Sequence, residues 1–326
     1  MLERRRLEMS GIPTRRAVLG YALAAPAAAL LAGCTPGPRH DRLDIAAGES
    51  GGMYFEFATL LSQALVRSNI AEHSSALQTE ASAQNLHLLA KQEASLSLAL
   101  ADTVAQCRAA ANEGNPLALG RVYQNYFHCI VRADAPIRTL PDLAGRRLGT
   151  GAAGSGTWVT GQRILEEAGL KSGGNAPRET KLGYGDGLAA LESGRIDALF
   201  LFGGMPVGAV SELAARVELR LIGLSSVLPG LRSRYPGLYD RVMIPAGTYP
   251  GVGQAQSLGV ANLLIVPASF PAQTAGQVVR LLVERAQELI PPGSAGIQYL
   301  TPQTLISTAG QPLHPGAIQA YRELHG

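Results

Sequence analysis

Leu43-Asp-Ile-Ala-Ala-Gly-Glu-Ser-Gly-Gly-Met-Tyr-Phe-Glu-Phe-Ala-Thr-Leu-Leu-Ser-Gln-Ala-Leu-Val-Arg67 reads as one unit of strand, glycine-rich loop and helix. Leu43–Ala47 is a short apolar strand and Gly48–Gly52 a loop. Met53–Arg67 is a helix, because Phe57, Leu60, Leu61, Ala64 and Leu65 recur at helical spacing and form one stripe. The same unit recurs downstream. Strands are expected near Ser75–Thr79 and over Ala94–Leu100, Tyr126–Arg132, Arg147–Thr150, Ile196–Phe202, Leu219–Leu224 and Asn262–Val266. Helices are expected around Ala83–Lys91, from Asp102 as N-cap through Arg108, over Trp158–Ala168 with Gly169 as C-cap, and into Ser193. Further helices are expected over Pro206–Ala215 and Ala272–Leu289, with a last helical segment through His314-Pro-Gly-Ala317. Alternating strands and helices at this spacing predict parallel α/β sheets, and two such series predict two α/β lobes. Such sheets bind ligands at the carboxyl ends of their strands, beside helix N-termini.

The start of the chain reads as an export leader. Ala17–Leu31 is an alanine-rich apolar run broken by Pro26, too short to span a bilayer and suited to a signal-peptide core. Leu31-Ala-Gly-Cys34 fits cleavage ahead of a cysteine that is then acylated, and Thr14-Arg-Arg16 before Val18-Leu19 resembles a twin-arginine signal. A plain leader with a chance cysteine is the alternative. The expected organisation is therefore a signal peptide over residues 1–33, a Pro/Gly tether over 34–42, one lobe over 43–126 and 258–326, and a second over 127–257.

The whole chain of 326 residues has 28 Lys and Arg against 25 Asp and Glu. Arg4, Arg5, Arg6, Arg15 and Arg16 against Glu3 and Glu8 account for that excess, so the remainder is formally neutral. A neutral remainder without a basic stripe gives no case for nucleic-acid binding. No apolar run after Cys34 approaches a membrane span, so lipid on Cys34 is the expected attachment. Cys107 and Cys129 remain, either as one disulfide or as two free thiols.

Three motifs compete for chemistry. Gly48-Glu-Ser-Gly-Gly52 spells the nucleophile elbow of hydrolases, which would make Ser50 the nucleophile. It comes before the strands that such an elbow follows, and no histidine has an obvious acid partner. Gly149-Thr-Gly-Ala-Ala-Gly154 spells a dinucleotide pattern but has no acidic residue at the end of the next strand, so no nucleotide cofactor is expected. No His/Cys/Asp/Glu cluster has metal-ligand spacing, and no metal is expected. The remaining reading joins the loops: Gly51-Gly52, Gly154 with Gly156, and Gly203-Gly204 each precede a helix. There exposed N–H groups and the helix dipole favour an anion, and Ser50, Tyr54, Ser155 and Thr157 add hydroxyls.

Ile45-Ala-Ala-Gly-Glu-Ser-Gly-Gly-Met-Tyr54, Ser82-Ala-Gln-Asn85 and Leu98-Ala-Leu-Ala-Asp102 come first in an ordered set. Asp142-Leu-Ala-Gly145, Gly154-Ser-Gly-Thr157, Gly194-Arg-Ile-Asp-Ala-Leu-Phe200, Gly204-Met-Pro206, Gly247-Thr-Tyr249 and His314-Pro-Gly-Ala317 follow. The set resembles the TAXI family of solute receptors for TRAP (tripartite ATP-independent periplasmic) transporters. It departs from the family at Ala83-Gln84 and at Ala101. The resemblance implies a fold like the type II periplasmic binding proteins, with two α/β lobes and a ligand cleft between them. It implies a non-enzymatic periplasmic receptor that hands its solute to an integral membrane permease driven by an ion gradient; a monomer is expected, and the leader with Cys34 adds the lipid anchor. Carried over position by position, the cleft includes Gly52, Met53, Tyr54, Asn85 and Asp102 from the first lobe. From the second it includes Ser155, Gly156, Thr157, Gly204, Met205, Pro206 and Tyr249. The implied solute is a small organic acid or acidic amino acid of the glutamate type. No arginine lies in the cleft loops, so amide N–H groups and hydroxyls would have to hold its carboxylate. A receptor feeding a sensor or an ABC importer would have the same cleft.

Overall fold

The computed structural model describes residues 39–80, 82–110, 115–171, 173–292, 294 and 300–325. The expected leader, the acylation site Cys34 and the start of the tether lie outside them. In chain order the strands and helices are β1 (His40–Arg42), β2 (Ile45–Ala46), α1 (Met53–Arg67), β3 (Ala71–His73), β4 (Ala76–Leu77), α2 (Ser82–Ala90), β5 (Leu96–Leu100), α3 (Ala101–Ala110) and β6 (Leu117–Arg132). There follow β7 (Arg147–Gly149), α4 (Gly156–Glu167), β8 (Arg178–Thr180), α5 (Tyr184–Glu192), β9 (Ala198–Gly203), α6 (Gly208–Ala214), β10 (Leu219–Leu221), α7 (Leu228–Arg234) and β11 (Asp240–Ile244). The chain closes with β12 (Ala255–Val266), α8 (Ala272–Glu284), α9 (Pro302–Leu305) and α10 (Pro315–His325).

The fold is mixed α/β, and one sheet runs through it. Its strand order is β4-β2-β5-β12-β6-β9-β7-β8, with β10 on β6 and β11 on β12. The parallel pairs lie at the two ends, β2 with β4 and β5, and β7 with β8 and β9. The antiparallel pairs lie in the middle and are made by the two long strands. Asn262–Ile265 of β12 face Leu100–Ser97 of β5, while Ala255–Gly259 of the same strand face β11. The first part of β6 pairs with β12, and Tyr126–Val131 pair with β9. β12 borders one parallel group through β5 and β6 borders the other through β9, so this antiparallel pair joins the two α/β halves in one sheet. Both strands are much longer than the sequence suggests. Arg121, Gln124 and Asn125 interrupt the apolar pattern of β6, yet Gln124 and Asn125 are buried at the crossing.

Helices cover the sheet on the stripes they carry. α1 buries Phe57, Leu61, Ala64 and Leu65, and α8 buries Val278, Val279, Leu281 and Leu282. The buried side chains form three clusters. One lies around α1 and α8, one around α5, α6 and β9, and a third is built on Phe127, Phe200, Leu258 and Val260. Phe127 and Phe200 meet edge to face at 5.1 Å, a favourable arrangement of ring quadrupoles. Cys107 and Cys129 are both free thiols, and burial pushes the Cys129 thiol up to about 12. Among the described residues no helix is long and apolar enough to cross a membrane.

Candidate functional site

The loop Gly48–Gly52 after β2 turns back through Gly51 at φ +79°, a conformation that a side chain would resist, and delivers the start of α1. Gly151 after β7 has φ +84°, and a Cβ there would stand 2.8 Å from Ser155 Oγ and from Thr157 Cβ. Only glycine lets that loop fold down onto the first turn of α4. Ser155 is the N-cap, its Oγ accepting from Trp158 N–H at 3.2 Å. Thr157 Oγ1 accepts from Phe202 N–H at 3.2 Å, which pins the helix start to β9. The N–H groups of Gly156 and Thr157 have no intrahelical acceptor.

These loops enclose a cavity of about 170 Å³, roughly six times the volume a water molecule occupies in the liquid. Of the residues expected in the cleft, Gly52, Met53, Tyr54, Ser155, Gly156, Thr157, Gly204 and Pro206 line it. Tyr54 Oη lies 3.2 Å from Ser82 Oγ, and burial holds its phenol well above the ordinary range. Gly204 is a point of close approach, since a Cβ would meet Met53 Cε at 2.5 Å.

Four expected residues do not line it. Asn85 is buried, with Nδ2 donating to the carbonyls of Ala47 and Leu98 and Oδ1 accepting from Thr79 Oγ1 at 2.5 Å. Its amide holds the ends of β2 and β5 together and has no donor left for a solute. Asp102 is buried away from the cavity. Thr160 Oγ1 donates to its Oδ2 at 2.5 Å and Tyr239 Oη at 3.0 Å, with Arg163 Nη1 at 3.5 Å. Those partners come from α4 and from the segment before β11, so Asp102 ties the first half of the sheet to the second. Met205 packs its side chain into the cluster around β9. Tyr249 is buried, and its Oη donates to His128 Nε2 at 2.8 Å and accepts from Val207 N–H at 3.2 Å. It shapes the wall at Pro206–Val207 from behind.

Conversely, the cavity contains groups that the loops alone do not announce. Glu49, Glu56 and Glu80 line it, with Asn125 from β6 and Tyr184 from the start of α5. Both carboxylate oxygens of Glu49 accept from Tyr184 N–H, each at 3.2 Å. A carboxylate from the first loop thus occupies the N-terminus of α5. Burial raises the Glu56 carboxyl above its usual value. Glu49, Glu80, Ala152 and Gly183 also border an outer depression that holds Lys181 and Asp186. Ser50 is exposed and does not line the cavity. Among the described residues no three His, Cys, Asp or Glu side chains are grouped to hold a metal.

A protein of Bordetella bronchiseptica RB50 superposes with a TM-score of 0.55 at 15% identity, over 88% of this chain and 98% of that one. A Xanthomonas citri protein solved with bound ATP gives 0.51 at 14% identity, over 87% and 95%. The periplasmic aliphatic sulphonate binding protein of Escherichia coli gives 0.45 at 16% identity, over 89% and 84%. The first two are similar to this chain in fold. The sequence itself matches the NMT1-like family over residues 45–324, most of its length, and the chain therefore belongs to the NMT1-like family.

Proposed function

We propose that this protein is an extracytoplasmic solute-binding receptor, not an enzyme, which captures one small carboxylate-bearing solute and delivers it to a TRAP-type permease. The observation that carries the reading is the cavity at the start of α4. There the unpaired N–H groups of Gly156 and Thr157 and the positive end of a 12-residue helix face a space of solute size. No guanidinium or ammonium lines that space, so a carboxylate is held by amides and hydroxyls. A glutamate-like solute would bring a second carboxylate, for which the lining offers no cation. The cavity lies between two α/β halves joined by β6 and β12, with lobes over 43–126 with 258–326 and over 127–257. Closure on the solute shifts an open–closed equilibrium toward the form that docks on the permease.

The ordered motifs from Ile45 to Ala317 support the TRAP assignment, and the leader with Leu31-Ala-Gly-Cys34 supports a lipid-anchored periplasmic location. A thermal-shift screen of amino acids, oxo acids and sugars tests the receptor reading. A rise in melting temperature with some carboxylate-bearing solutes is expected, and no rise with any solute overturns it. Uptake of the identified solute should depend on an ion gradient and survive ATP depletion. Uptake that stops on ATP depletion would assign the receptor to an ABC importer instead. Mass spectrometry should find an acyl-modified Cys34.

A further inference from the structure

We propose that the cavity selects solutes carrying a protonated amine, and that Glu56 with Asn125 receives that group while α4 receives the carboxylate; this rests on the receptor reading above. Four helices of eight or more residues begin with a residue of the cavity lining: α1, α2, α4 and α5. Two of their N-termini already face carboxylates of the chain itself. Glu49 accepts from Tyr184 N–H at the start of α5, and Glu56 lies in the first turn of α1. The Ser82 hydroxyl at the start of α2 is taken by Tyr54 Oη and Leu100 N–H, whereas the start of α4, with Gly156 and Thr157 in the lining, is left for an anion from outside.

The opposite side of the cavity asks for a donor. The Glu56 carboxylate has no ion pair and no hydrogen-bond partner among the described residues. Although Glu56 is exposed, it lines the cavity, and partial desolvation raises its carboxyl above the usual value. Its charge also reaches the buried hydroxyl of Tyr123 and the hydroxyl of Tyr184. Asn125 is the independent observation. It is 2% exposed, it lines the same cavity, and its Oδ1 has no hydrogen-bond partner. A buried acceptor left unpaired is costly, so a ligand donor is the group that satisfies it. Glu80 adds negative charge to the lining, and the nearest lysine, Lys181, stands in the outer depression over the Trp158 ring at 5.5 Å. Inside, the field runs from the positive start of α4 to an unpaired carboxylate and amide oxygen. A zwitterionic solute matches that polarity, and a dianion opposes it.

The test is calorimetric titration of the purified full-length chain with matched pairs that differ only by an amino group: L-alanine and pyruvate, L-leucine and 4-methyl-2-oxopentanoate, and L-aspartate and oxaloacetate. L-Glutamine against L-glutamate, and succinate, report on the second negative charge. The amino member of each pair that binds is expected to bind at least tenfold tighter than its oxo partner, and glutamine tighter than glutamate. Glu56→Gln, at an exposed position that leaves folding intact, is expected to reduce the amino preference about tenfold without weakening the oxo acids. Oxo acids or succinate binding as tightly as the amino acids overturns the proposal while leaving a receptor. An unchanged preference in Glu56→Gln removes Glu56 from the site and overturns it as well. No binding by any of these compounds counts against the proposal and the receptor reading together.

Discussion

Asp102→Ala should be the most damaging single truncation of a polar side chain in this molecule. Asp102 is fully buried and receives hydrogen bonds from Thr160 Oγ1 at 2.5 Å and Tyr239 Oη at 3.0 Å. The Arg163 guanidinium stands 3.5 Å away, its side chain only 12% exposed, and it donates to Tyr239 Oη at 2.7 Å while stacking 4.2 Å over the Tyr235 ring. Truncation leaves two buried hydroxyls, those of Thr160 and Tyr239, without their acceptor, which costs about 1–3 kcal/mol for each group left unsatisfied. It also strands a largely buried cation, and breaking such a pair from one side costs about 3–5 kcal/mol in total. For a chain of this size 1 kcal/mol moves the melting temperature by roughly 2–4 °C, so a loss on the order of 6–20 °C is expected. Differential scanning calorimetry of wild type, Asp102→Ala and Asp102→Asn gives the answer. The asparagine keeps one acceptor and should lose about half as much. A melting temperature for Asp102→Ala within 2 °C of wild type would refute the claim that this carboxylate ties the two halves of the sheet.

Three further outcomes are expected. Burial lowers His128 from an ordinary 6.5 to about 4 in the folded protein, with Nδ1–H donating to Tyr126 O at 2.9 Å and Nε2 accepting from Tyr249. The unfolded chain therefore takes up this proton first, so the His128 contribution is complete above 6.5 and lost as pH falls toward 4. That loss is worth about 3 kcal/mol; urea denaturation across that window should show a flatter pH slope in His128→Gln, and an equal slope would contradict the assignment. Tyr249→Phe leaves Val207 N–H and His128 Nε2 unpaired, which should cost roughly 1–3 kcal/mol of stability and weaken solute binding through the Pro206–Val207 wall; unaltered affinity would show that the wall does not depend on that hydroxyl. Gly156→Ala puts a Cβ 2.3 Å from Leu100 Cδ1 and 3.2 Å from its Cγ, at a leucine 2% exposed. Overpacking of about 1–3 kcal/mol by thermal melt and at least a tenfold loss of affinity by titration are expected, and an unchanged affinity would show that α4 does not bind the solute.

The repeating strand–loop–helix unit was legible because its stripe residues are local. Met53–Arg67 is a helix with the bounds its periodicity predicts, and Ser155 caps the helix that its loop announces. β8 was not legible. Arg178-Glu-Thr180 is exposed throughout and has no apolar face to betray a strand. Around the site, Gly51, Gly52, Gly156, Gly203 and Gly204 lie in the cavity lining, because close approach of backbone is a local demand, while Gly154 does not. Polar side chains were ambiguous. Asn85 near the start of α2 looks the same in sequence whether its amide meets a solute or two strand carbonyls. The choice is made by Ala47 and Leu98, which only the sheet brings near. Glu49 shows the converse: its partner Tyr184 is 135 positions away, so its place at the start of α5 depends on the fold as a whole.

The central claim is that the start of α4 receives a solute carboxylate inside this cavity. Its most direct test is calorimetric titration of the tightest-binding amino acid against its own carboxamide, which keeps the shape and the amine and removes the negative charge. One site per chain and at least tenfold weaker binding of the carboxamide are expected. Equal affinity for the two would contradict that claim.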